Sequence, residues 1–148
     1  MNLIKNEEIR QVLDPISNAS STDTNSDRID MQNYESVTFI VPIEDCADTG
    51  VATITGQQNT IDSDSGMAAL SGATATATSG ANDDLNNTLL VLEIDKPEER
   101  YIQIAVTSAT ANIAFGTGSV ILTHKRKTPV SDHSSISQAT LVVSPAEA

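Results

Sequence analysis

The sequence predicts an all-β fold: an antiparallel β-sandwich or jelly-roll-like domain with extended N- and C-terminal arms. Three observations lead there. Short runs rich in Val, Ile and Thr alternate with period two along the middle of the chain, turn-forming clusters ("EDCADTG", "DSDSG", "SGANDD") separate them, and helical periodicity is scarce. Strands spaced in this way suit a sandwich or jelly roll better than a parallel sheet, which would need helices between its strands. The 148 residues are one domain's worth of chain, able to bury roughly 70% of the surface that the unfolded form exposes. Cys46 is the only cysteine, so neither an intrachain disulfide nor a cysteine-based zinc site can be built, and the fold must rest on its core.

Residues 1–26 read as an extended arm. "MNLIKNEEIR" places charges where a secretory signal needs an apolar stretch, so export by that route is not expected. Leu3, Ile4, Ile9, Val12 and Leu13 are apolar points for docking on a neighbouring subunit or partner, and "DPISNASSTDTNSD" (14–27) is too polar to offset its ordering entropy by burial.

The β domain is expected over 27–127. In "ESVTFIVPI" (35–43) Val37, Phe39 and Val41 share one face while Thr38 and Ile40 share the other, and Pro42 suggests an edge or a strand end. "GVATITGQQ" (50–58), "NTLLVLEID" (87–95), "RYIQIAVTS" (100–108) and "GSVILTHKR" (118–126) repeat the formula. "ATATAT" (73–78) is ambiguous, because alanine favours helix, but its two-residue alternation and the flanking Gly72 and Gly80 favour strand. In "YIQIAV" one face, Ile102, Ile104 and Val106, is expected to be core. The uncharged stretch Tyr101–His124 is long enough to cross a bilayer, yet Gln103, Asn112, Gly116 and Gly118 interrupt it, and no membrane span is expected. Residues 128–148 read as a second arm with an apolar patch at Leu141, Val142 and Val143.

Composition narrows the chemistry. Twenty acidic against eight basic residues give a formal net charge of -12, which disfavours nucleic acid as a partner because phosphate binding is driven by Lys and Arg. The two histidines, His124 and His133, have no nucleophile elbow beside them, and "GTGSV" lacks the third glycine and the lysine of a phosphate loop. Asp62 and Asp64 in "DSDSG", like Glu44, Asp45 and Asp48, form only a fragment of a calcium loop and read as solvated acidic turns. Tyr34, Tyr101, Phe39 and Phe115 are too few for a sugar cleft or a base-stacking platform. No catalytic, cofactor or metal site is expected.

The order "DRIDMQNYESVTFIV", a turn, "DTGVATITGQQNT", a later "YIQIAVTSATAN", and the closing "ILTHKRKTPV" and "SPAEA" resembles a family of small virion proteins of tailed bacteriophages, encoded among the head genes, over residues 27–148. Its specific parts are the strand onset ending in "NYESVTFIV" and the strand "ATITGQQ". The resemblance implies a head decoration, or cement, protein: a non-catalytic β module, made in the bacterial host cytoplasm, that binds the major capsid protein on the virion exterior and reinforces the lattice. Similar β modules serve as head fibres, tail components or head-completion proteins, which leaves an exposed fibre, tail or receptor- or glycan-binding module as the alternative. An envelope hydrolase is a third reading.

Arms suit the structural reading, since modest contacts repeated over a lattice or across a homo-oligomer such as a trimer add avidity. The cluster Lys125, Arg126 and Lys127 follows the last strand. While the chain stays extended these side chains alternate between faces, so they either guard a sheet edge or make charge-mediated contacts with acidic residues of a neighbouring copy or of the capsid.

Overall fold

The computed structural model describes residues 2–124 and 133–143. A single-turn helix, α1 (Leu3–Asn6), precedes eleven strands among the described residues: β1 (Glu8–Leu13), β2 (Ile16–Ala19), β3 (Asp23–Asn25), β4 (Ile29–Asp30), β5 (Ser36–Cys46), β6 (Val51–Asn59), β7 (Ala68–Thr78), β8 (Thr88–Asp95), β9 (Tyr101–Ala109), β10 (Ile113–Phe115) and β11 (Gly118–Thr123). They form two antiparallel sheets packed face to face. The five main strands fall where period-two alternation places them, and "ATATAT" is strand, in the C-terminal half of β7.

The first sheet is organised about β5. β8 pairs along one side of it, while β11 and then β10 pair along the other; β11 carries β1, and β10 carries β2. In the second sheet β3 and β4 pair with one side of β9, followed by β6 and β7. β8 and β7 are therefore the outer strands on one side of the sandwich.

Alternation carries the core. Leu92, Phe39 and Val120 are register partners across β8, β5 and β11, as are Ile94, Val37 and Leu122, and all six are buried. Ala52, Ile54, Ile102, Ile104 and Val106 meet them from the second sheet. Burying a Phe, Leu or Ile side chain stabilises by about 1.5–3 kcal/mol, so rows of this kind supply the driving force that the missing disulfide does not. Cys46 is buried among them, and desolvation raises its thiol pKa, which keeps it protonated.

Three expectations change. Pro42 marks neither an edge nor an end: β5 continues to Cys46 as a central strand. The proline is tolerated because it falls between the β11 register, which stops at Ile40, and the β10 register, which begins at Ile43. Residues 8–25 are not a free arm. β1, β2 and β3 are paired strands, and Val12 and Leu13 are core; the polar stretch 14–27 orders because its backbone finds partners in both sheets. Finally, β9 buries both faces. Gln103 is fully enclosed on the outward face and donates from Nε2 to Gln57 Oε1 at 2.8 Å. On that face Arg28, just before β4, reaches Asp62 and Asp64 in the turn after β6, so an ion-paired strap crosses β9.

Candidate interaction surface

The apolar residues expected to form an N-terminal docking set are divided by the structure. Leu3 and Ile4 belong to α1, where Leu3 is 43% exposed. Ile9 lies on the outward face of the first sheet opposite Ile121, and Val12 and Leu13 are buried and unavailable to a partner. Among the described residues β1 pairs only with β11, and it turns charge inward: Glu8 and Arg10 are opposite the core residues Leu122 and Val120. There Glu8 is paired with Arg10 at 2.5 Å and accepts a hydrogen bond from the Tyr34 hydroxyl. An inward charged pair of this kind is one of the devices that keep an edge strand from recruiting foreign chains.

The C-terminal segment touches the body on the same side. Gln11 N–H, on the outer edge of β1, donates to Ser135 Oγ at 3.0 Å, while His133 Nδ1 lies 2.9 Å from the same oxygen and accepts from Ser135 N–H at 3.2 Å. With Ile136 N–H donating to His133 O at 2.8 Å, this is a capped turn. It closes one wall of an open groove of about 620 Å³ lined by Leu13, Ile16, Thr24, Asp27 and His133. Beyond the turn, Leu141, Val142 and Val143 are 38%, 60% and 89% exposed and belong to no strand. Lys125, Arg126 and Lys127 lie outside the described residues.

The acidic turns are engaged by the chain's own groups. Arg28 takes Asp62 at 2.6 Å and Asp64 at 2.7 Å, so the pair that reads as part of a calcium loop already holds a guanidinium. Asp45 accepts from Asn18 at 3.0 Å and Asn86 at 3.3 Å, tying β2 and the turn before β8 to the end of β5. Asp84 accepts from the Ser79 hydroxyl and from the N–H groups of Gly80 and Ala81; the hydroxyl first, and then the amides, hold its carboxyl below the ordinary range. Arg100 grips Asp30 with two bonds, at 2.9 and 2.7 Å, and lowers its pKa likewise. Phe39 and Phe115 are fully buried and cannot stack on a sugar.

A second outward apolar surface lies elsewhere, on β8. Leu90, Leu92 and Ile94 point inward, which turns Leu89 and Val91 to solvent at 58% and 51% exposure. Their register partners on β5, Pro42 and Ile40, extend the patch into the sheet. Four consecutive apolar residues in "LLVL" hide the phase of the alternation; a strand obliges every second residue to face outward, but only the inward placement of Leu90 and Leu92 fixes which ones. No protein-family model matches the chain, and no curated protein shows significant similarity to it.

Proposed function

We propose that the chain is a structural virion protein that binds the outer surface of a phage capsid and stabilises the head lattice without catalysing a reaction. The observation that carries this reading is the distribution of exposed apolar side chains. On an acidic sandwich, Leu89 and Val91 on the outer strand β8 and Leu141, Val142 and Val143 on the C-terminal segment make up most of them among the described residues, with Leu3 and Ile61 standing apart, a placement suited to many small, repeated contacts. The polar clusters support it: the acids at 45, 62, 64 and 84 are occupied in bracing turns, and the Ser135–His133 pair caps a turn. The resemblance over residues 27–148 points the same way.

Purified chain is to be mixed with heads lacking it and sedimented with them. Co-sedimentation to saturation, with heads that then survive heating or chelation better, is the expected result. A chain that stays in the supernatant at every concentration, or that turns over peptidoglycan or capsule, overturns the proposal. A version ending at residue 137 should lose head binding while keeping its thermal transition.

A further inference from the structure

We propose that residues 140–143 of one copy add as an extra strand along the outer edge of β8 in a second copy, so that exchanged C-terminal segments hold a homo-oligomer together. The inference concerns contacts between copies and goes beyond the capsid reading. β8 pairs with β5 on one side and, among the described residues, with no strand on the other. Every second one of its eight residues thus turns its backbone N–H and C=O to the open side, the template that strand addition uses. The other outer strand on this side, β7, is less suited. Its register with β6 jumps between Thr55 and Gln57, so that residues 70–73 bulge out around Gly72 at φ +78°. No large apolar side chain of β7 is exposed.

The occupant is argued from the segment itself. "TLVV" (140–143) is rich in strand-favouring Thr and Val, has no strand partner among the described residues, and is the most exposed apolar run described. Extended along β8 it would place Leu141 and Val143 on one face and Thr140 and Val142 on the other. One face continues the outward patch of Leu89 and Val91; the other meets the half-buried Ala75 and Ala77 of β7. Charge favours this segment over the body. A second molecule arrives with a formal charge of -12, and the β8 edge adds Glu93 and Asp95, whereas residues 133–143 carry no Asp, Glu, Lys or Arg.

Reach decides that the acceptor is another copy. Ser135 sits outside β1, and β11, β5 and β8 lie beyond it. At about 4.8 Å per strand, a new position outside β8 is about 19 Å from β1. The added strand would begin at Thr140, five steps along the chain from Ser135, and fully extended these span at most about 18 Å in a straight line, short of that distance. A straight line would pass through the sheet, so the segment cannot round the face and reach its own β8.

The test uses the whole purified chain without capsids. Wild type should form oligomers in analytical ultracentrifugation. Val91→Lys, which changes an outward side chain, and a chain ending at residue 138 should each fold with the wild-type circular dichroism spectrum and sediment as monomers at tenfold higher concentration. Mixed, they should form a heterodimer, because one retains the donor and the other the acceptor. In a second measurement, separately purified Val91→Cys and Val142→Cys chains should give a disulfide-linked dimer on oxidation. A monomeric wild type, a mixture that forms no heterodimer, or a Val91→Cys/Val142→Cys chain that closes its disulfide within itself overturns the inference. Head binding by a strictly monomeric chain would leave the capsid proposal standing and remove only this one.

Discussion

Leu13 and Gly118 show how closely β1 is seated. They are register partners, and a Cβ added to Gly118 would stand 2.8 Å from the Leu13 Cβ. Gly118→Val should therefore force β1 off β11 and cost about 1–3 kcal/mol, read as a lower denaturant midpoint with an unchanged slope. Gln103 makes the opposite case. Its Oε1 is buried and finds no partner among the described residues, so only the bond to Gln57 is at stake. Gln103→Met, similar in volume, should change stability by less than about 1 kcal/mol in either direction. Asp84 supplies a pH dependence. Its carboxyl pKa is lowered in the folded chain, chiefly by Ser79, so its contribution is present above the ordinary carboxylate value of about 4 and is lost as pH falls through the lower folded value. The thermal transition of Asp84→Asn should thus lie below that of wild type at pH 7 and converge with it as pH falls below the ordinary carboxylate range.

At the scale of elements, β1 separates two truncations that look alike in sequence. Removing residues 2–6 takes away α1 alone and should leave the melting temperature within a few degrees. Removing residues 2–13 uncovers β11 and deletes Val12 and Leu13 from the core, at a cost of several kcal/mol that prevents cooperative folding. The main strands were legible because a two-residue period has one structural meaning when β-branched residues carry it. β1 to β4 were not, because they are short and polar, or, in β1, place Glu8 and Arg10 where the pattern asks for apolar residues. Their order comes from partners far along the chain, which no local window contains. The same applies to β8, whose exposed Leu89 and Val91 could be read as outward only once Leu90 and Leu92 were known to face the core.

For the whole molecule, a net charge of -12 sets the terms of association. Two copies repel at low ionic strength, and a Debye length of about 10 Å at 0.1 M salt falls to about 3 Å at 1 M. Strand addition through apolar side chains should accordingly strengthen as salt rises, whereas contacts made by Lys125, Arg126 and Lys127 with acids of a neighbour should weaken. Sedimentation across that range distinguishes the two, and dissociation at high salt would return the basic cluster to the centre of the interface. Mechanical load on the chain is governed by a different feature. β1 and β11 run antiparallel with Glu8 opposite Leu122, and Glu7 Oε2 accepts from His124 N–H at 3.0 Å. Tension entering at Glu7 and leaving at His124 thus pulls on one end of a ladder, opening its rungs singly like a zip. A load carried between those two ends is therefore resisted one rung at a time, whereas a load carried through the body of the sandwich is shared across several paired strands.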